Sequence, residues 1–143
     1  MGNRNTNLEL IKNVYAAFGT GDLATIINAC SDDIEWSLHG PSSIAWAGTF
    51  RGRKGVEQFF TKLMQSLDVQ RFEPKHFVAD EDAVAVFGFE AGSSRATSKP
   101  YGSEWAHHFV IRDGKITSFR EFIDTHAIAA AVQGSPSPDG VVH

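Results

Sequence analysis

Three ionisable side chains near the end of the chain could carry acid–base chemistry. His107 lies in one candidate strand, and Arg120 and Asp124 lie in the next. Histidine titrates near neutral pH, and burial among aromatic groups favours the protonated form of a carboxyl group, whereas a nearby guanidinium favours the ionised form. We therefore predict proton transfer in which Asp124 is the acid or base, His107 is its proton partner or a hydrogen-bond donor and Arg120 adjusts the local charge.

The sequence places these groups together through one tight turn. Asp113-Gly114 is a dipeptide typical of a type I′ hairpin turn, and apolar runs lie on both sides of it at 109–111 and 116–119. Regular pairing outward from this turn would place His107 opposite Arg120. A second turn at Ser98-Lys99 would place Glu90 opposite His107, in a row of three polar residues.

Alternation along the two strands then divides their side chains between two faces. One face is predicted to carry His107, Arg120 and Asp124. The other face is predicted to carry a subunit contact through Val110, Phe119 and Ile123. The predicted pocket needs apolar walls around its polar groups, so we take several aromatic residues as candidates for substrate binding. The candidates for substrate binding are Trp36, Trp105, Phe122, Phe109, Tyr15, Phe59 and Glu90.

The elements that position these residues follow from hydrophobic periodicity. Apolar residues at helical spacing predict helices over 6–18, 22–30, 55–67 and 126–132, and alternating segments predict strands over 34–39, 76–80, 83–91, 101–112 and 116–125. Thr6 and Glu9 form a candidate capping box for the first helix, and Asp22 is a candidate N-cap for the second. Helices followed by strands indicate an α+β fold with a curved antiparallel sheet wrapped on the helices.

Composition limits the classes of function. The 143 residues suit one domain, predicted over 1–134, followed by a flexible tail over 135–143 that is rich in Ser, Pro and Gly. A formal charge of −4 argues against nucleic acid as a partner. The chain lacks a long apolar run and has one cysteine, Cys30, so we expect a cytoplasmic protein that neither enters a membrane nor forms an internal disulfide. No ligand spacing suggests a metal, and the predicted chemistry needs no cofactor.

Seven short motifs occur in a fixed order: YAAF at 15–18, GDL at 21–23, DIEW at 33–36, GTFRG at 48–52, WAH at 105–107, RDGKI at 112–116 and FREFIDT at 119–125. Over residues 6–134 the chain resembles the SnoaL-like branch of the nuclear-transport-factor-2-like superfamily. The resemblance implies a cone-shaped fold, with a bent sheet closed by three helices around a deep pocket, and a homodimer. For an enzyme with this pocket, we expect the substrate to be a small apolar, oxygenated molecule.

The resemblance implies several activities. In polyketide cyclases of this branch, an acidic residue on a late strand acts in an intramolecular aldol closure, and Asp124 resembles it. Ketosteroid isomerases place their base where this chain has Trp36. Epoxide hydrolases use an arginine between two aspartates, and the strand with Trp105 and His107 lacks that set.

Two classes of function therefore remain open. One is a cofactor-free isomerase or cyclase, with an epoxide-hydrolase-like enzyme as a further alternative. The other is a non-catalytic ligand-binding or dimerisation module in which Arg120 and Asp124 form a structural ion pair. A catalytic pocket should leave Asp124 and His107 without partners beside a void, whereas in the second class their hydrogen-bonding groups should all be occupied.

Overall fold

The computed structural model describes residues 2–133, so the predicted tail over 135–143 and both ends of the predicted domain lie outside the described residues. The described part contains four helices and six strands. In chain order these are α1 (Arg4–Thr20), α2 (Leu23–Asn28), β1 (Cys30–Leu38), β2 (Gly48–Arg51), α3 (Gly52–Ser66), β3 (Leu67–Ala79), β4 (Ala83–Ser94), β5 (Pro100–Arg112), β6 (Lys115–Ile123) and α4 (Thr125–Val132).

The strands form one sheet in the order β2-β1-β6-β5-β4-β3. Strands β1 and β6 pair in parallel, and every other neighbouring pair is antiparallel. The α+β class and the curved, mostly antiparallel sheet packed against N-terminal helices are therefore confirmed. Strand β2 lies between the predicted strand over 34–39 and the predicted helix over 55–67, where no element was predicted, and it pairs with the second half of β1.

Capping residues determine where the first two helices begin. The side chain of Asn3 accepts a hydrogen bond from the backbone N–H of Thr6, so α1 begins before the predicted capping box of Thr6 and Glu9. Gly21 ends this helix in the left-handed region, with φ of 74°. The predicted N-cap of the second helix is confirmed, because Asp22 accepts a hydrogen bond from the backbone of Thr25.

The hairpin between β5 and β6 begins as predicted and then changes register. Asp113 and Gly114 both have positive φ, 53° and 74°, as a type I′ turn requires. Arg112 pairs with Lys115, but Val110 pairs with Ser118 because one extra residue, Thr117, forms a bulge in β6. The predicted pairing of His107 with Arg120 is therefore wrong: His107 pairs with Glu121, and Arg120 pairs with His108.

The bulge reverses the predicted faces of β6 beyond Thr117. Ile116 and Phe119 are three residues apart and both are buried, which regular alternation would not allow. Phe119 and Ile123, which were predicted at a subunit contact, lie on the inner face of the sheet that packs against the helices. Arg120 and Phe122 lie on the outer face and are exposed.

The turn between β4 and β5 also differs from the prediction. The backbone N–H of Ser94 donates to the carbonyl of Lys99, so the connection is 95–98 rather than a turn at Ser98-Lys99. Glu90 consequently pairs with Ser103 instead of His107. Because this shift is an even number of residues, Glu90 still lies on the inner face.

The hydrophobic core fills the space between the inner face of the sheet and the helices. Its fully buried members include Ile26 of α2, Ile34 of β1 and Val56 of α3. Between residues 2 and 133, no helix is both long and apolar enough to span a bilayer.

Candidate functional site

An internal cavity lies between the helices and the inner face of the sheet. Its volume is about 60 Å³, and its walls come mainly from aromatic and aliphatic side chains of α1, α3, β3 and β6. Four lining residues carry hydrogen-bonding groups suited to proton transfer, and these are Tyr15, Glu90, His107 and Glu121. The cavity therefore combines apolar walls with a few polar groups, which is the usual composition of a small-molecule site.

Three of these residues form a hydrogen-bonded row that we call the proton relay: Tyr15, His107 and Glu121. The hydroxyl of Tyr15 lies 2.7 Å from Nδ1 of His107, and Nε2 of His107 lies 3.0 Å from Oε2 of Glu121. An ionised Glu121 can only accept, so Nε2–H of a neutral imidazole donates to it and Nδ1 accepts from the hydroxyl of Tyr15. The carboxylate thereby determines the tautomer of His107.

Aromatic packing holds the imidazole in place. The ring of Trp105 stacks on His107 with centroids 4.0 Å apart and an angle of 14° between planes. Phe119 contacts the imidazole edge to face, at a centroid distance of 4.9 Å. The side chain of His107 is 7% exposed and that of Glu121 is 10% exposed. The pair is thus shielded from bulk water. In this buried environment the hydrogen bond between His107 and Glu121 is stronger than it would be at the surface.

Glu90 places a second carboxyl group in the cavity. Its Oε2 accepts a hydrogen bond of 2.7 Å from the hydroxyl of Tyr101. Burial raises the pKa of Glu90 to about 7, and the charge of Glu121 adds to this shift, while the hydrogen bond from Tyr101 opposes it. Glu90 can therefore hold or release a proton near neutral pH.

The phenol of Tyr15 remains protonated in this environment. Burial raises the pKa of Tyr15 above its usual value, and the charge of Glu121 acts in the same direction. A free phenolate is therefore disfavoured, and any proton that Tyr15 accepts must be matched by one that it passes to His107.

The structure brings six of the ten predicted site residues to the cavity. These are Tyr15, Trp36, Phe59, Glu90, His107 and Phe109. A seventh, Trp105, is buried behind the cavity wall, where it packs against Phe72 and His107. The remaining three, Arg120, Phe122 and Asp124, do not line the cavity.

Asp124 has a structural role at the end of β6. It is exposed, and its side chain accepts a 3.0 Å hydrogen bond from the backbone N–H of Ala127, which caps α4. The guanidinium of Arg120 lies over the ring of Phe122 on the outer face, at 5.1 Å, so the predicted ion pair with Asp124 has no support. The register change at Thr117 explains why neither Arg120 nor Asp124 reaches the cavity. It shifts the pairing of β6 by one residue, so the side chains after the bulge exchange faces.

Sequence reasoning missed Glu121, which takes the place at the cavity that had been predicted for the acidic residue at 124. One signal could have revealed it. Ile116 and Phe119 are large apolar residues three apart in a short strand, a spacing that indicates a bulge. If side chains alternate from Phe119 onward, Glu121 and Ile123 point towards the inner face together with Phe119.

Residues 2–133 contain no group of three or more His, Cys, Asp or Glu side chains arranged to hold a metal ion. The same stretch leaves three side-chain groups buried without a hydrogen-bond partner: the indole N–H groups of Trp36 and Trp105 and the hydroxyl of Ser43. Among these three residues, only Trp36 lines the cavity. An unpaired buried donor of this kind costs roughly 1–3 kcal/mol. It is therefore a group that a ligand oxygen could satisfy.

Comparison with known proteins identifies the class to which this fold and cavity belong. The SnoaL-like domain family matches residues 11–119, so the chain belongs to that family. An NTF2-like protein from Burkholderia xenovorans LB400 is 32% identical over 93% of this chain and 100% of its own, with a TM-score of 0.84. A comparison with curated proteins gives no significant match.

Two further solved structures are similar to this chain. TerC, co-crystallised with polyporic acid, is 27% identical over 90% of this chain and 99% of its own, with a TM-score of 0.80. A candidate polyketide cyclase from Xanthomonas campestris pv. campestris is 18% identical over 91% of this chain and 98% of its own, with a TM-score of 0.75, which shows a shared fold. The protein is thus a SnoaL-like, NTF2-like protein with an internal cavity.

Proposed function

We propose that the protein binds a small, largely apolar molecule that carries oxygen and transfers a proton on it without a cofactor, as an isomerase or cyclase. The observation that carries this proposal is the proton relay within an apolar cavity. Burying two carboxyl groups and an imidazole among aromatic side chains is costly for stability, and such clusters are typical of functional sites.

The relay can move a proton without leaving a net charge on the phenol of Tyr15. A substrate C–H or O–H would give its proton to the hydroxyl oxygen of Tyr15 while the hydroxyl proton passes to Nδ1 of His107. Glu121 would stabilise the resulting imidazolium through Nε2–H. The return of the proton to another atom of the substrate completes an isomerisation, and its delivery to a developing alkoxide completes an aldol closure.

Glu90 would act as the second acid of the site. Its pKa of about 7 keeps a fraction of the carboxyl protonated at neutral pH, so it can donate to a substrate oxygen on which negative charge develops. The indole N–H of Trp36 also supports an oxygen-bearing ligand, because it is a buried donor without a partner and could donate to a ligand oxygen. Glu121 replaces Asp124 in this proposal, because the side chain of Asp124 caps α4.

A non-catalytic binding module is the second candidate, and one observation favours it. Both ring nitrogens of His107 already have partners, which is the arrangement expected of a structural or binding role. The epoxide-hydrolase alternative has less support, because no arginine is among the cavity-lining residues in the described part of the chain.

Proton exchange on a simple test ketone distinguishes the proton-transfer enzyme from the non-catalytic binding module. β-Tetralone, an apolar bicyclic ketone, is incubated with the protein in deuterated buffer, and loss of its α-proton signals is followed by NMR. The proposal expects exchange faster than in buffer alone, and loss of that acceleration in Tyr15→Phe and Glu121→Gln. Binding of the ketone without accelerated exchange would instead support the binding module.

The proposal includes a homodimer formed through the outer face of the sheet. Phe87 and Phe122 are 46% and 48% exposed there, and both flank Ala106 in the strand pairing. An exposed apolar row of this kind is typical of an interaction surface. The proposal also places the protein in the cytoplasm, since its only cysteine, Cys30, is a buried free thiol.

A further inference from the structure

We infer that the ligand of the inner cavity carries an apolar arm, and that this arm lies in a groove between α1, α2 and α3. The inference rests on the proposed function and adds the shape of the substrate to it. The groove, which we call the arm groove, has a volume of about 270 Å³. Its apolar lining residues are Ala17, Phe18, Leu23, Ile26, Phe60 and Met64.

The arm groove shares part of its wall with the inner cavity. Phe18, Ile26 and Phe60 line both spaces. The rings of Phe18 and Phe60 lie 5.9 Å apart between centroids, at an angle of 44°. Phe18 is only partly buried, whereas Phe60 is 8% exposed, so Phe18 is the ring of this pair that lies nearer the surface. These two rings form the neck between the cavity and the groove.

The inner cavity is too small to hold a substituted ring by itself. Its volume of about 60 Å³ suffices for roughly five water molecules at most. A molecule large enough to bury substantial apolar area must therefore extend beyond this cavity. The arm groove provides the additional space on the side where the rings of Phe18 and Phe60 separate the two spaces.

Helix α1 gives the direction and length of the path. Tyr15, Phe18 and Gly21 follow at intervals of three residues, so they succeed one another along the helix axis over about 9 Å. Tyr15 belongs to the proton relay, Phe18 to the neck and Gly21 to the groove. A side chain added at Gly21 would meet no atom within 4 Å, so the outer end of the path is open.

The chemistry of the arm groove suits hydrocarbon. Asp22 is the charged residue among its lining, and its carboxylate is already occupied by the hydroxyl and backbone N–H of Thr25. Met64 is 47% exposed and has a flexible, polarisable side chain that adapts to different apolar shapes. The substrate class is therefore an amphiphilic molecule with an oxygenated head at the relay and an alkyl or aryl arm.

A series of alkylated phenols tests this arrangement by calorimetry. The probes are phenol, para-ethylphenol, para-butylphenol and para-hexylphenol. We expect the affinity of the wild-type protein to rise about fourfold for each methylene that the groove buries. Met64→Glu places a charge in the groove and should reduce this increment to less than twofold. Gln65→Glu, which adds the same charge at an exposed neighbouring position outside both cavities, should retain the full increment.

The outcomes separate the arm from the head. Equal increments in wild type and Met64→Glu would overturn the arm groove, while a loss of phenol affinity in Glu121→Gln would still support the head site. Failure of every probe to bind the wild-type protein would overturn both. Thr61→Glu, at an exposed position that also lines the groove, repeats the test if Met64→Glu does not fold.

Discussion

His107 and Glu121 face each other across β5 and β6, with 3.0 Å between Nε2 and Oε2. This pairing depends on Thr117, the extra residue in β6. The hydroxyl of Thr117 donates to the carbonyl oxygen of Val110, which provides a partner for a backbone group within the bulge. Without the bulge, Glu121 would point away from the cavity.

The first prediction separates Glu121 from Asp124. Glu121→Gln keeps the size of the side chain and can still accept from Nε2–H through its amide oxygen, but it cannot stabilise an imidazolium by charge. We expect the protein to fold and the exchange of β-tetralone protons to slow by roughly 10²-fold or more, because the relay acts as a general acid–base catalyst. The rate is measured by NMR in deuterated buffer.

Asp124→Asn is the matched control for this change. Asparagine is as good an N-cap as aspartate, so α4 should remain stable and the exchange rate should not change. A large loss of activity in Asp124→Asn together with normal activity in Glu121→Gln would show that the relay is not the catalytic group.

Local signals made much of the fold predictable. The turn at Asp113-Gly114 and the cap at Asp22 were predictable because each depends on the preferences of one or two residues. The inward direction of Trp105, His107 and Phe109 followed from alternation within a single regular strand.

The errors arose where one strand had to be aligned with another. A single inserted residue in β6 moves every later side chain of the strand to the other face. Regular pairing outward from the turn does not reveal such a bulge, whereas the spacing of the buried apolar residues does. The connection at 95–98 was misplaced because several adjacent polar residues, including Ser98, could all form a turn. Here the even shift preserved the face of Glu90 by chance.

The second prediction concerns the pH dependence of stability. Burial, aided by the charge of Glu121, raises the pKa of Glu90 from 4.5 to about 7. Between these values the folded protein binds more protons than the unfolded chain, so its stability should fall as pH rises from 4.5 to 7 and change little from this group above 7. The full difference corresponds to about 3 kcal/mol.

Urea unfolding at pH 5 and pH 8 measures this effect in wild type and in Glu90→Gln. The variant cannot ionise at this position, and its amide oxygen can accept from Tyr101, so the fall in stability between the two pH values should be smaller. Glu104→Gln removes an exposed carboxyl group from the outer face of β5 and should leave the wild-type fall in place. An identical fall in Glu90→Gln would contradict the assignment to Glu90.

The third prediction concerns the outer face of the sheet. Light scattering should show the wild-type protein as a dimer, and Phe122→Glu should convert it to a monomer by placing a charge in the apolar row with Phe87. Met64→Glu is the matched control, because Met64 is 47% exposed but lies on α3. A monomeric wild-type protein, or a dimeric Phe122→Glu, would rule out this interface.

The fourth prediction tests how the sheet supports His107. Gly88 lies opposite Trp105 in β4, and a Cβ at this position would lie 2.4 Å from both the indole atom Cζ2 and the carbonyl oxygen of Glu73. Gly88→Ala must therefore displace the ring that stacks on His107. We expect a loss of about 1–3 kcal/mol in the free energy of unfolding, as for other overpacked sites.

Gly102→Ala provides the comparison, because its Cβ would meet the nearest atom, in the ring of Phe89, at an ordinary 3.5 Å. It should change stability by much less than Gly88→Ala, as measured by urea unfolding. Near-ultraviolet circular dichroism should show an altered tryptophan signal only in Gly88→Ala. If Gly88→Ala also slows ketone exchange while Gly102→Ala does not, the orientation of His107 depends on the position of Trp105, since neither glycine contributes a side chain to the cavity.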